Sequence, residues 1–360
     1  MADVTIPGRA YDPDLVRRIR EGARVVDEDG LALELRPVPD DDREHVLDPR
    51  CLAYSRAKIA ARGTAPAKTF LEERRGLGKP AQRYDEGTAA YRLELADLHG
   101  RSIPVHVIDP AGRQAPSPVL VYLHGGGFAF GSFEQYAEEL YRLADITGAL
   151  VLCPEYRLSP ENPFPAGLDD CCGVVSWVSE QAGRLGADPS KVALAGDSAG
   201  GNLCNAVVQR MPGAVGLIVE FYPLVKTGAD REEGWSPEAY PVVDDQRAEA
   251  EERIERIHGS MALELLYTAG DLEALSDPLI SAVHSDRLAD FPRTVVVSGE
   301  YDFLRVQDEE FARALAAAGA DVRAIRYLGM DHGFFEAGGT WPQSEDLCDV
   351  IAEEMRRAFA

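Results

Sequence analysis

The sequence predicts an α/β fold: a mostly parallel, eight-stranded sheet covered by helices on both faces, with a helical cap. Three observations predict it. From residue 118 onward, apolar runs of strand length alternate with longer helical stretches, the order that places helices on both faces of parallel strands. Two of the strands run directly into glycine-rich turns, His124-Gly125-Gly126-Gly127 and Gly196-Asp197-Ser198-Ala199-Gly200-Gly201. One acidic segment between Pro223 and Pro292 carries helical stretches and no good strand, the signature of a lid inserted after a strand end.

Residues 1–88 are polar and charged, with helical stretches at 14–23 and at 52–75, the second broken near Gly63. This N-terminal helical segment is expected to contribute to the cap. Tyr91, Leu93 and Leu95 then alternate as on a half-solvated strand, and 103–108 follows as its antiparallel partner. The remaining strands are expected at 118–123, 149–153, 192–195, 215–221, 294–297 and 322–327. Helices are expected at 133–146, 168–185, 201–210, 308–318 and 345–359. The main domain is thus 89–360, with 224–275 as the cap insertion and 244–258 as its clearest helix. There is no internal repeat.

Composition excludes several partners. The chain carries 61 acids against 37 bases, a net charge of −24, which repels nucleic acid and anionic membranes. No stretch approaches the roughly 18 unbroken apolar residues of a membrane span, so no membrane insertion is expected. The first residues show no basic-then-apolar leader. The six cysteines, at 51, 153, 171, 172, 204 and 348, lack metal spacing or a disulfide framework and read as buried thiols. The expected location is cytoplasmic, with no metal and no cofactor. The sequence leaves a homodimer open.

The two glycine turns carry the chemistry. With glycine at 33 of 360 residues, a histidine followed by three glycines is expected by accident about 0.005 times over the 7 histidines. A G-x-S-x-G match is commoner, at roughly 0.1–0.2 times, but here a strand enters it and a helix leaves it. The first turn offers backbone N–H groups to a developing negative charge, and the second holds Ser198 where its neighbours must be small. A serine nucleophile needs a base and the base an orienter. His332, in Gly329-Met330-Asp331-His332-Gly333-Phe334, follows the last strand. Asp302 follows the strand at 294–297, with Glu300 and Asp308 as neighbouring carboxylates. Ser198, Asp302 and His332 stand in the chain order of a hydrolase triad.

From about Pro118 to the C-terminus the chain resembles the hormone-sensitive-lipase-like esterases of the α/β-hydrolase superfamily. The matching residues are His124 to Phe128 with Gly131-Ser132, Glu155 to Pro165, the Gly-Asp-Ser-Ala-Gly-Gly turn, Asp277-Pro278 with Ser281, and His332 to Phe334. The resemblance implies an α/β-hydrolase fold and a serine carboxylesterase acting on small-molecule esters of short to medium acyl chain. It implies Ser198, Asp302 and His332 as catalytic residues and the N–H groups of Gly126, Gly127 and Ala199 as oxyanion hole. Phe128, Phe130 and Tyr222 are expected to line the substrate pocket. An amidase or acyltransferase with the same triad is the alternative, and a non-catalytic binding protein on this fold is a further one. Where the family usually has proline after the triad acid and aspartate four residues beyond it, this chain has Phe303 and Val306.

Overall fold

The computed structural model describes residues 9–61, 69, 70, 74, 87–232, 234–258, 261–336 and 338–360. In chain order the strands are β1 (Arg24–Glu28), β2 (Leu31–Arg36), β3 (Ala90–Asp97), β4 (Ser102–Asp109), β5 (Ser117–Leu123), β6 (Leu150–Pro154), β7 (Ala187–Asp197), β8 (Leu217–Phe221), β9 (Arg293–Gly299) and β10 (Val322–Tyr327). They form one sheet in the order β1-β2-β10-β9-β8-β7-β5-β6-β4-β3. From β2 across to β6 all neighbours are parallel. The antiparallel pairs are β1 with β2 at one edge, and β6 with β4 and β4 with β3 at the other.

The helices are α1 (Asp14–Glu21), α2 (Pro49–Ala61), α3 (Phe133–Thr147), α4 (Ala166–Glu180), α5 (Ala182–Leu185), α6 (Ala199–Arg210), α7 (Arg247–His258), α8 (Ala262–Tyr267), α9 (Arg305–Ala318) and α10 (Pro342–Phe359). Alternation along the strands splits the core in two. Val119, Val121 and Leu123 of β5 pack with residues of α4, α6 and α9 on one face, including Val174, Leu203 and Phe311. Leu120 and Tyr122 pack with Leu140 of α3 and Ile351 of α10 on the other. Full burial of each such large side chain stabilises the fold by about 1.5–3 kcal/mol. Parallel strands share one carboxyl end, so the loops after β5, β7, β8, β9 and β10 converge there.

The sheet has ten strands rather than the eight expected from sequence. The two additional ones form a hairpin whose turn is Asp29-Gly30, with φ of 53° and 81° at the two residues. Such a pair of left-handed residues matches the right-handed twist of flanking strands. Leu31, Leu33 and Leu35 are buried, and β2 pairs in parallel with β10. The N-terminal segment is therefore not a single helical contribution to the cap: residues 24–36 extend the sheet. Leu47 and Cys51, by contrast, pack with Tyr240, Val242, Ala250 and Ile254 of the inserted segment in a third apolar cluster. The continuation of the helix toward residue 75, with its break at Gly63, falls largely outside the described residues. The helix expected at 168–185 is two, α4 and α5, divided at Gln181.

Candidate active site

β7 ends at Asp197 and α6 begins at Ala199, so Ser198 alone makes the turn between them. Its φ of 52° and ψ of −115° lie in a region that costs a non-glycine residue on the order of 1–3 kcal/mol. Neighbouring strands hold it there. Ser198 N–H donates to Phe221 O at 2.8 Å, and Ser198 O accepts from Asn202 N–H at 3.1 Å and Leu224 N–H at 3.2 Å. A Cβ on Gly200 would sit 1.8 Å from Leu123 O. The end of β5 crosses the start of α6 so closely that only glycine fits.

Loops from three other strand ends meet this serine. His332 lies between β10 and α10, with Nε2 3.1 Å from Ser198 Oγ and Nδ1 2.8 Å from Asp302 Oδ2. Asp302 is fully buried, and its Oδ1 accepts the N–H of Leu304 at 2.8 Å. Of the other two carboxylates, only Glu300 has a hydrogen-bond partner among the described residues. Glu300 Oε2 accepts the Gly329 N–H at 2.8 Å, fixing the loop that leads to His332. Asp308 sits in the first turn of α9, fully buried, and neither oxygen has a hydrogen-bond partner among the described residues. Burial pushes its carboxyl well above the usual range, and the charges of Asp302 and Glu220 add to this.

The His124–Gly127 turn lies across the elbow. The His124 ring stacks on Tyr156 at 4.4 Å, and the Tyr156 hydroxyl donates to His124 O at 2.6 Å. Gly125 N–H donates to Asp197 Oδ1 at 2.7 Å. Tyr122 and Tyr136 hydroxyls donate to the same carboxylate at 2.7 and 3.0 Å. Burial pushes the Asp197 carboxyl up, and these three donors pull it back. The residue before Ser198 therefore ties the elbow to the glycine loop. In sequence this aspartate is one residue of the glycine-rich turn, with no signal of its own for this role.

Gly126, Gly127, Ser198, Ala199 and His332 border one cavity of about 340 Å³. Phe128 and Phe130 are among the residues that line it. Phe128 also stacks on Tyr267 of α8, with centroids 3.7 Å apart, and Phe130 packs against Phe70 at 4.8 Å. Tyr222 does not line the cavity. It is fully buried, with its ring 4.7 Å from the imidazole of His332 and its hydroxyl accepting from Phe335 N–H at 3.2 Å. Its φ of 38° turns the chain just past β8, so the ring supports His332 instead of meeting a ligand. Residues that the sequence does not single out add to the wall, among them Leu224, Arg231, Leu263, Glu264 and Leu304. Arg231 and Glu264 pair at 2.8 Å, joining two parts of the inserted segment. Phe303 also faces the cavity, 5.0 Å from the His332 ring. A larger groove, about 530 Å³, is lined by His45, Glu300 and Arg326 and includes none of Ser198, Asp302 or His332.

Among the described residues no group of three or more His, Cys, Asp or Glu could hold a metal ion, and no helix is long and apolar enough to cross a membrane. None of the six cysteines is in a disulfide.

A sheet of this topology, with a serine at the strand–helix elbow and a histidine within hydrogen-bond reach, defines a hydrolase of the α/β-hydrolase fold. A family model described as alpha/beta hydrolase fold matches residues 120–336. The chain belongs to that family, the hormone-sensitive-lipase-like esterases, and is a carboxylic ester hydrolase. It is 32% identical over 288 residues to carboxylesterase NlhH of Mycobacterium tuberculosis (strain ATCC 25618 / H37Rv), covering 78% of this chain and 84% of that protein. It is 30% identical over 290 residues to esterase LipI of the same strain, covering 73% and 86%. The fold matches that of a thermophilic carboxylesterase cloned from a metagenomic library, with a TM-score of 0.68 and 29% identity over 82% of this chain and 99% of that one. A hyperthermophilic esterase of Pyrobaculum calidifontis superposes with a TM-score of 0.69 and 28% identity, covering 87% and 98%.

Proposed function

We propose that this carboxylesterase hydrolyses short- to medium-chain acyl esters through Ser198, His332 and Asp302, by way of an acyl-enzyme. The observation that carries the reading is the unbroken chain from Ser198 Oγ through the imidazole to Asp302, with contacts of 3.1 and 2.8 Å, on the wall of a mostly apolar cavity. His332 Nε2 takes the proton from Ser198 as Oγ attacks the ester carbonyl carbon. Asp302 fixes the ring with Nδ1–H toward itself and stabilises the imidazolium. The carbonyl oxygen, now an oxyanion, takes hydrogen bonds from Gly126, Gly127 and Ala199 N–H, each worth about 3–4 kcal/mol in the transition state. The alcohol leaves with the proton from His332. Water, deprotonated by the same nitrogen, then attacks the acyl-enzyme and releases the acid.

Phe128 and Phe130 serve as substrate contacts. The inserted segment 224–275 acts as the cap, since Leu263 and Glu264 line the same cavity as Ser198. A cavity of about 340 Å³ lies at the small end of ligand sites, which favours acyl chains below about eight carbons. Ser198→Ala should lower kcat on a p-nitrophenyl ester by roughly 10⁴–10⁶ with the unfolding curve unchanged. Near-normal turnover by the folded variant would overturn the assignment. A series of esters from acetate to palmitate tests the chain length independently.

A further inference from the structure

The outer edge of β3 is unlike the other surface of the sheet. Tyr91, Leu93 and Leu95 are 45%, 54% and 70% exposed, and no strand among the described residues pairs beyond them. At the opposite edge β1 is shorter, and Val25 is its one exposed large apolar residue. β3 has no proline and no lysine.

The backbone at this edge has a definite phase. Across the β3–β4 turn, Leu98 N–H donates to Arg101 O at 2.7 Å. Hydrogen-bonded and non-hydrogen-bonded pairs alternate along an antiparallel ladder. In the observed register, Ala96↔Ile103, Glu94↔Val105 and Arg92↔Val107 are therefore bonded pairs. Pro104, which has no N–H, sits opposite Leu95 at a non-bonded position, as this phase requires. The N–H and C=O groups of Tyr91, Leu93 and Leu95 thus point outward from the sheet edge, in the same residues that expose apolar side chains.

We infer that β3 pairs antiparallel with β3 of a second copy of this chain, about a two-fold axis at Leu93, to form one sheet continuous through a homodimer. In that register Leu93 faces Leu93 of the partner subunit, and Tyr91 and Leu95 face each other across the axis in both directions. The three outward-pointing residues of each strand become hydrogen-bonded pairs. Arg92 comes opposite the partner's Glu94, and Glu94 opposite the partner's Arg92. Charge selects this register. An axis at Leu95 would set Leu93 against Asp97, and one at Tyr91 would leave Arg92 against Ala90. Within one chain Arg92 and Glu94 already bond at 2.7 Å, so the strand presents both signs side by side. The edge is locally balanced on a molecule of net charge −24, so added salt, by screening the remaining repulsion, strengthens the pairing.

Sedimentation or light scattering of the full chain over a concentration series, at low and high salt, should show a monomer–dimer equilibrium that shifts to dimer with salt. Leu93→Lys sets two like charges face to face and should raise the dissociation constant roughly tenfold or more, with ester hydrolysis and the circular dichroism spectrum retained. Leu93→Cys should cross-link to its own copy on mild oxidation, since bonded antiparallel pairs lie about 5.5 Å apart at Cα, within disulfide reach. Leu95→Cys alone should not, but should cross-link when mixed with Tyr91→Cys. A wild-type chain that stays monomeric throughout, a dimer indifferent to Leu93→Lys, or a dimer in which Leu93→Cys does not couple would each overturn the inference.

Discussion

Asp197 stands at the join between the Ser198 elbow and the His124–Gly127 loop, and its removal has calculable consequences. Three buried donors end on its carboxylate: the Gly125 N–H at 2.7 Å and the Tyr122 and Tyr136 hydroxyls at 2.7 and 3.0 Å. In Asp197→Ala all three lose their acceptor. An orphaned buried donor costs about 1–3 kcal/mol, so three cost at least about 3 kcal/mol after relaxation. That is a large share of a typical stability of about 5–15 kcal/mol. The glycine loop also loses its tether to the elbow. If Gly126 and Gly127 then miss the oxyanion, kcat should fall by roughly 10²–10³, the usual cost of one such donor.

Asp197→Asn separates the tether from the charge. The amide oxygen at the place of Oδ1 still accepts from Gly125 and Tyr122, which both bond that atom. The Tyr136 hydroxyl can rotate to accept from the new NH2 group. This variant should keep its stability within about 1–2 kcal/mol and its kcat within roughly tenfold. Urea unfolding and kcat on a p-nitrophenyl ester, measured on both variants, read the two effects separately. An alanine variant as active as the wild type would refute the tether. So would an asparagine variant as damaged as the alanine one.

Two further outcomes follow from single side chains. Burial pushes the Glu139 carboxyl up to about 8, so the folded chain holds a proton there that the unfolded chain releases above its ordinary value. Stability is then fully present at low pH and is lost as pH rises to about 8, by up to about 1.4 kcal/mol per pH unit. Glu139→Gln, in which the amide oxygen still accepts from Gly338 N–H, should narrow that loss. Parallel Tm-against-pH curves for the two proteins would refute it. Phe303→Ala removes a half-buried ring beside His332 and should cost about 1–2 kcal/mol by area, while raising KM for the preferred acyl chain. An unchanged chain-length profile would show that Phe303 does not shape the pocket.

The legible parts of this molecule are those whose signal is local. The strand, elbow and helix around Ser198 occupy consecutive residues, and Gly196 and Gly200 answer to close backbone, Gly200 to that of Leu123. Asp302 and His332 come together with Ser198 because groups at the carboxyl ends of parallel strands converge, which chain order alone suggests. The β1–β2 hairpin was not legible, although Asp29-Gly30 is a hairpin signal. Its strands are short and rich in charge, and β2 is buried by pairing with β10, nearly the whole chain away in sequence. Tyr222 follows a strand end, which in sequence points to the pocket; a positive φ, invisible in sequence, sends its ring behind the imidazole. The pairing of Arg231 with Glu264 at the cavity wall joins segments of an insertion that has no repeating pattern to read.

Phe303 and Val306, the two departures from the family pattern, make sense together. Both pack against the cluster of Leu47, Cys51, Tyr240, Val242, Ala250, Ile254 and Tyr301. That cluster unites the N-terminal segment, the inserted segment and the loop of the candidate acid. A proline at 303 would stiffen the loop by itself, and an aspartate at 306 would need a polar partner in an apolar setting. Here the same loop is held by burial from above instead: Tyr240 donates its hydroxyl to Phe303 O at 3.2 Å, and Tyr301 donates to Pro241 O at 3.0 Å. The inserted segment and the Asp302 loop therefore share one packing unit. Changes in the inserted segment that alter the cavity therefore also load the loop of Asp302, whose Oδ2 lies 2.8 Å from His332 Nδ1, so under the proposed mechanism pocket shape and the alignment of His332 are not independent.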